Sequence, residues 1–143
     1  MKANVNWIGG AAFVGESPGG HRIVIDGPPE GGGRNLGPRP METLLLGMGA
    51  CSCYDVVSIL HISRQAISDV KLEISAERAE KDPKVFTEIH LHYLISGTNV
   101  GVTQVERAIN LSADKYCSAT VMLGKTAKIT HSYTISEMAQ KSD

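Results

Sequence analysis

The sequence lacks several features that would assign it to a special class of protein. Its three cysteines are too few, and odd in number, for a secreted disulfide framework. Fourteen Lys and Arg residues against fifteen Asp and Glu residues give a net charge of −1, so the basic excess that favours nucleic acid or anionic membrane is missing. No signal peptide is recognisable, and no apolar stretch approaches the roughly 18 residues of a membrane span. We therefore expect a cytoplasmic protein that binds neither nucleic acid nor membrane.

The composition that remains is typical of one globular domain. The chain has 143 residues, of which 42% are hydrophobic and 20% charged. We predict a single domain over residues 1–143. In chain order, the predicted segments are an N-terminal β-meander at 1–26, a Gly/Pro loop at 27–40, a central helix at 41–63, and a β-hairpin, helices and closing strand at 69–135.

Two kinds of periodicity support these segments. Apolar residues surround Gly47 and Gly49 on nearly every side, a pattern that predicts a buried helix. Alternating apolar residues predict strands on both sides of it. Thr103 and Glu106 match a capping box at the start of a second helix, and Gly124 is suited to end a short helix after Ser118. The order of elements predicts an α+β fold with antiparallel sheets around the long helix.

The three thiols are the main candidates for chemistry. Cys51 lies in the middle of the predicted buried helix, where a small core residue is the simplest interpretation. Cys53 lies about 200° around the helix from Cys51, so the two share no face and form no helical disulfide. Zinc binding by Cys51, Cys53 and His61 is disfavoured for the same reason, and we expect no metal and no cofactor.

Two further positions bear on these thiols. Asp55 shares the face of Cys51 one helical turn later, so it either meets an arginine or lysine or lies where the helix reaches water. Cys117 falls at a predicted helix N-terminus, where the helix dipole favours the thiolate. Helix geometry alone therefore nominates Cys117 as the more acidic thiol.

The histidines and the glycine loop have simpler interpretations. His90 and His92 lie on the face opposite the apolar residues of their strand, which favours a solvated sheet surface. His131 falls on the apolar side of its strand and is predicted to be a hydrogen-bonded core residue. Gly31, Gly32 and Gly33 lack the flanking residues of a phosphate-binding loop.

The order of these motifs resembles a known family. A Gly/Pro loop leads into PMETLLLGMGAC, which ends at Cys51; LSADKYCS, with Cys117, follows some sixty residues later, and ITHSY closes the chain. This arrangement resembles the OsmC/Ohr family of thiol-dependent hydroperoxide reductases, most closely its YhfA-type branch. The resemblance covers nearly the whole chain.

The resemblance implies an OsmC-like fold and an intertwined homodimer, with each active site at the subunit interface. It implies that Cys51 is the peroxidatic cysteine and Cys117 the resolving cysteine, which reverses the ranking from the helix dipole. The sulfenate of Cys51 would then form a disulfide with Cys117, an external dithiol would reduce that disulfide, and organic hydroperoxides would be the substrates. Cys53 has no role in this scheme.

The chain departs from the family pattern at the activating residues. The family's glutamate lies ten residues before the reactive cysteine, where this chain has Met41, with Glu42 one residue later. The family's activating arginine lies in an N-terminal segment, and no residue here matches its motif. The candidates for that role are Arg22 and Arg39, with Arg34 in the loop. Glu42, Arg39 and Asp55 are thus the predicted supporting residues. Alternative functions are a non-enzymatic dimer that binds an apolar small molecule and a stress protein that senses oxidants through its thiols.

Overall fold

The computed structural model describes residues 1–138. These residues form an α+β fold with two three-stranded sheets, which confirms the predicted fold class. The chain divides into two compact units, one ending at Leu46 and the other beginning at Gly47, and each is described by itself. The prediction of a single domain over residues 1–143 stays a prediction.

The first unit contains an antiparallel meander with strand order β1-β2-β3. The strands are β1 (Asn4–Gly9), β2 (Ala12–Glu16) and β3 (Arg22–Asp26). The loop that follows contains a short 3-10 turn at Pro29–Gly31. Its glycines are required by close backbone approach, since a Cβ atom at Gly33 would overlap the carbonyl of Gly27 and one at Gly37 that of Val24.

Asp26 holds this loop to the end of the meander. Its buried carboxylate accepts backbone N–H groups from Gly27 at 2.9 Å, Arg34 at 2.9 Å and Leu36 at 3.2 Å. These hydrogen bonds, with the largest effects from Arg34 and Leu36, lower the pKa of Asp26 below its usual value. A single carboxylate therefore organises a segment that has almost no secondary structure of its own.

Helix α1 (Pro40–Ile62) matches the predicted central helix within one residue at each end. Its buried residues lie at helical spacing and form one stripe: Met48, Gly49, Ser52, Val56 and Leu60. Other apolar residues stay exposed, including Leu46, Tyr54 and Ile62. The expectation of a helix buried on all sides is therefore wrong for the single chain.

Helix α1 also corrects the expectation about membrane-length segments. An 18-residue window within it has a mean hydropathy of 1.6, which is apolar enough for a membrane span by length and composition. The expectation from the sequence is wrong because the polar residues of the helix are scattered and lower the mean hydropathy little. The core helix of a soluble protein meets the same criterion.

The second sheet has strand order β4-β5-β6. Strands β4 (Ala66–Arg78) and β5 (Phe86–Thr98) form the predicted antiparallel hairpin. Strand β6 (Lys128–Glu137) instead pairs parallel to β5, so the prediction of antiparallel sheets is wrong for this pair. The helical connection before β6 carries the chain back to the same end of the sheet, a pairing direction that periodicity does not reveal.

That connection places Cys117. Helix α2 (Val102–Leu111) is followed by a π-helical turn at Ser112–Tyr116 and by helix α3 (Ser118–Leu123), with Gly124 as its C-cap. The N-cap of α2 is Gly101, without a side-chain cap, so the capping box predicted for Thr103 and Glu106 is wrong. Glu106 instead accepts a hydrogen bond from the Tyr133 hydroxyl at 2.7 Å, an interaction with β6.

Candidate active site

Two thiols and a carboxylate come together in the second unit. The Sγ atoms of Cys51 and Cys117 and a carboxylate oxygen of Asp55 all lie within 4.8 Å of one another. Cys51 and Asp55 are one turn apart on α1, as predicted, whereas Cys117 comes from the connection between α2 and α3. A separation of 66 residues in sequence is thus closed by the fold. All three cysteines are free thiols.

The two clustered thiols differ in their access to solvent. Cys51 is half-buried, while Cys117 has no exposed surface. Solvent therefore reaches part of Cys51 and no part of Cys117. This asymmetry is the first indication of different roles for the two residues.

Cys117 is held by the residues that begin helix α3. It is the N-cap residue of α3, and its sulfur accepts hydrogen bonds from the Thr120 hydroxyl at 3.0 Å and the Thr120 backbone N–H at 3.4 Å. Burial raises the pKa of the Cys117 thiol above its ordinary value, and the two Thr120 hydrogen bonds oppose that rise. The expected acidic Cys117 is therefore not found, because burial, together with the neighbouring Cys51 thiol, raises the pKa of Cys117 more than the Thr120 hydrogen bonds at the start of α3 lower it.

A chain of hydroxyl groups supports Asp55 from inside the protein. The Ser112 hydroxyl donates to the Asp55 carboxylate at 3.0 Å and lies 3.1 Å from the Ser52 hydroxyl. Ser52 in turn is hydrogen-bonded to the hydroxyl of Tyr93 on β5. Since a carboxylate can only accept, one consistent direction runs from Tyr93 through Ser52 and Ser112 to Asp55. Burial raises the pKa of Tyr93 to about 12, which keeps its hydroxyl protonated as the first donor.

This hydroxyl chain takes the place of the cation expected beside Asp55. Asp55 is half-buried, and the ion pairs found among residues 1–138 do not include it. Of the two alternatives for Asp55, the arginine or lysine partner is not found among residues 1–138; the carboxylate is partly open to water, and hydrogen bonding satisfies it. The same residues hold Asp55 in place next to both thiols.

Cys53 lies outside this cluster. It is half-buried on α1, and burial alone raises the pKa of its thiol. Its position two residues from Cys51 directs it to another side of the helix, as predicted. No described hydrogen bond joins it to the candidate site.

Glu42 and Arg39 belong to the first unit and meet at the start of α1. The Glu42 carboxylate accepts a hydrogen bond from the Arg39 backbone N–H at 2.9 Å, which is one half of a capping box. In the part of the chain that the structure describes, the Arg39 guanidinium forms no salt bridge with Glu42. Arg22 pairs with Glu16 on the meander at 2.6 Å.

The histidines of β5 lie on the predicted polar face of the second sheet. His90 is hydrogen-bonded to Thr130 at 2.7 Å and to Ser132 at 2.8 Å, and His92 also contacts Ser132, at 2.7 Å. Both are half-buried and lie on the face opposite the buried residues of β5, as predicted, and a ladder of hydrogen bonds to β6 holds them there. His131 is exposed, which contradicts its predicted place in the core. It lies on β6, an edge strand with only one neighbouring strand to cover it.

Sequence reasoning missed the residues that support the site. Ser52, Tyr93, Ser112 and Thr120 come from α1, β5 and the α2–α3 connection, and only the fold brings them together. One signal was available: Ser52 occupies a position on the buried stripe of α1, where a hydroxyl needs a partner.

The fold and the site define a small α+β protein with a pair of neighbouring free thiols. The chain belongs to the OsmC family, described as OsmC-like protein, whose match covers residues 31–132. It is 44% identical to Protein YhfA of Escherichia coli strain K12 over 135 residues, which cover 94% of this chain and 98% of that protein. The resemblance seen in the sequence is therefore confirmed.

Solved structures have the same fold. A hypothetical protein from Aquifex aeolicus VF5 has a TM-score of 0.85 and 29% identity, with 96% of this chain and 97% of that chain covered. The organic hydroperoxide resistance protein OhrB of Bacillus subtilis has a TM-score of 0.61 and 16% identity, with 94% and 98% covered. At that identity the second likeness concerns the fold alone.

Proposed function

We propose that this protein reduces organic hydroperoxides with its cysteine pair, in the cytoplasm and without a cofactor. The observation that carries the proposal is the approach of the Cys51 and Cys117 sulfurs to within 4.8 Å. A disulfide requires about 2.05 Å between the sulfurs, a distance that side-chain rotation and a small backbone adjustment can supply. Membership of a family that includes organic hydroperoxide resistance proteins supports the same chemistry.

Cys51 is the residue that reacts with the peroxide, because it is the more exposed of the two cysteines. The Cys51 thiolate attacks one peroxide oxygen, so a sulfur–oxygen bond forms as the O–O bond breaks. The leaving alkoxide takes up a proton and departs as an alcohol, and Cys51 remains as a sulfenic acid.

Cys117 then resolves the sulfenic acid. Its sulfur attacks that of Cys51, a disulfide forms, and the hydroxyl group leaves with the Cys117 proton as water. Two electrons and two protons from an external dithiol restore both thiols, and the dithiol becomes a disulfide. Burial of Cys117 keeps this sulfur away from bulk oxidant until Cys51 has reacted.

A homodimer is part of the proposal. One side of α1 presents small and aromatic residues to solvent at helical spacing, namely Gly47, Ala50, Tyr54 and His61. Such a face on a helix of high mean hydropathy is suited to a second copy of the chain. Cys51 borders this face, so the partner would cover the site and provide an apolar environment for the organic part of the substrate.

The test follows the loss of cumene hydroperoxide in the presence of dihydrolipoate or dithiothreitol. We expect the wild type to turn over, Cys51→Ser to be inactive, and Cys117→Ser to stop after one equivalent with a sulfenic acid that dimedone traps. Cys53→Ser is the matched control and should keep the wild-type rate. Equal rates in all four proteins would refute the proposal, and loss in Cys117→Ser alone would reverse the two roles.

A redox sensor is the second candidate function. It is favoured by the Asp55 carboxylate, which stands beside both thiols where a cation would promote a fast reaction. A sensor would form the Cys51–Cys117 disulfide once per oxidation event and would be re-reduced slowly. Formation of one disulfide per chain without sustained peroxide turnover would select this function over the first.

A further inference from the structure

The cysteine cluster has the composition of a metal site as well as that of a redox pair. Among residues 1–138, Cys51, Asp55 and Cys117 are the group of three potential ligands whose donor atoms approach one another this closely. Two sulfurs and one carboxylate oxygen are donors that Zn²⁺ accepts, and thiolates favour it over Mg²⁺ or Ca²⁺. This set differs from Cys51, Cys53 and His61, which helix geometry disfavours as a zinc site.

The separations suit a tetrahedral ion. With Zn–S bonds of about 2.3 Å and a Zn–O bond of about 2.1 Å, tetrahedral geometry requires about 3.8 Å between the sulfurs and about 3.6 Å between sulfur and oxygen. The donor atoms already lie within 4.8 Å of one another, so a contraction of about 1 Å is sufficient. Rotation about the side chains of Cys51 and Asp55, neither of which is fully buried, can provide it.

The surrounding hydrogen bonds are those that a metal site uses to orient its ligands. Ser112 donates to the Asp55 carboxylate at 3.0 Å, and the Thr120 hydroxyl donates to the Cys117 sulfur at 3.0 Å. Outer partners of this kind fix the direction of the ligand atoms and add to metal affinity. In the single chain, Cys51 is the half-buried member of the set, so solvent reaches this side of the cluster.

We propose that the reduced protein binds one Zn²⁺ per chain through Cys51, Asp55 and Cys117, with a fourth position open to water. Binding displaces the two thiol protons into the buffer and replaces water ligands of the ion. The bound ion and the Cys51–Cys117 disulfide exclude each other, because both use the same two sulfurs. The inference depends on the ligand geometry and holds whether or not the protein reduces hydroperoxides.

The experiment titrates reduced, chelator-treated protein first with Co²⁺ and then with Zn²⁺. We expect a thiolate-to-cobalt charge-transfer band that saturates at one Co²⁺ per chain and disappears as Zn²⁺ displaces it. Cys51→Ser should weaken the band and the affinity, and Asp55→Asn, which retains a side-chain acceptor for Ser112, should lower the affinity with both sulfurs present. Competition with a chromophoric chelator gives the zinc affinity, and Ser112→Ala should reduce it by about 10–100-fold.

Two controls separate this site from others. Cys53→Ser removes the thiol outside the cluster, and His90→Asn removes a histidine of the β5 ladder; both should bind zinc as the wild type does. Circular dichroism of each apo variant checks that it is folded, and Cys51→Ser and Asp55→Asn change residues that are only half-buried. The proposal is overturned if the wild type gives no thiolate–cobalt band, or if zinc affinity is unchanged in Cys51→Ser or in Asp55→Asn.

Discussion

Ser112 is the residue on which the geometry of the candidate site most depends. Its hydroxyl joins the Asp55 carboxylate to Ser52, and through Ser52 to Tyr93. Ser112 is also the first residue of the π-helical turn that leads to Cys117, and its carbonyl accepts the Cys117 backbone N–H at 2.9 Å. One side chain and its backbone therefore position both the Asp55 carboxylate and the Cys117 thiol.

Ser112→Ala tests this role. The substitution removes the donor to a half-buried carboxylate and one of the two hydroxyl partners of buried Ser52, which keeps Tyr93. We therefore expect the free energy of unfolding to fall by about 1–3 kcal/mol. Urea denaturation measures this change. The control is Ser68→Ala, at an exposed position of β4, for which the free energy of unfolding should change by no more than about 0.5 kcal/mol. If Ser112→Ala is as stable as the control, the hydroxyl chain contributes nothing to the fold.

Asp26 gives the first unit a dependence on pH. Its pKa is lowered in the folded state from 3.8, chiefly by backbone N–H groups, so its contribution is complete above pH 3.8. That contribution is lost as the pH falls from 3.8 through the lower folded-state pKa. We expect the difference in unfolding free energy between wild type and Asp26→Asn to shrink from pH 7 to pH 3 in urea titrations. Glu30→Gln, in the same loop, should keep the wild-type profile; a constant difference for Asp26→Asn would contradict the assignment.

At the scale of elements, local sequence patterns predicted the features that depend on neighbouring residues. The bounds of α1, the β4–β5 hairpin and the short helix Ser118–Leu123 follow from periodicity and from glycine and proline placement. The parallel pairing of β6 with β5 does not, because it depends on the path of the α2–α3 connection. The meeting of Cys51 with Cys117 came from family resemblance, whereas Ser52, Tyr93 and Ser112 could be assigned only from contacts distant in sequence.

The packing of α1 on β4 offers a test at the same scale. A Cβ atom added at Gly49 would lie 2.8 Å from Cδ1 of Ile74 and 3.4 Å from Cδ2 of Leu72. Gly49→Ala should therefore cost about 1–3 kcal/mol through overpacking, offset by up to about 1 kcal/mol of helix propensity.

Ile74→Val removes the closest atom and should relieve that overpacking. In a double-mutant cycle measured by urea unfolding, the two changes should be less destabilising together than their sum, by about 0.5 kcal/mol or more. Strict additivity would mean that α1 does not rest on β4 at Gly49.

At the scale of the whole molecule, the exposed face of α1 is the feature that the single chain leaves unexplained. Tyr54 on this face is 74% exposed, and Ile62, which follows His61 at the edge of the face, is 82% exposed, on a helix of membrane-like hydropathy. Burial of such a helix against a second copy removes this apolar surface from water without a membrane. The same association would enclose Cys51, which lies beside that face, so assembly and chemistry are coupled in the proposed function.

Ala50→Arg tests that coupling. Ala50 lies at the centre of the exposed stripe between Gly47 and Tyr54, so an arginine there would place a charge and a long side chain within the proposed interface. We expect the wild type to sediment at about twice the chain mass of 15.3 kDa and the variant to shift towards the single-chain mass. Thr87→Arg, at an exposed position of β5, is the matched control and should stay dimeric. A wild type that sediments at 15.3 kDa at micromolar concentration would contradict the dimer, and a dimeric Ala50→Arg would exclude this face of α1 as the interface.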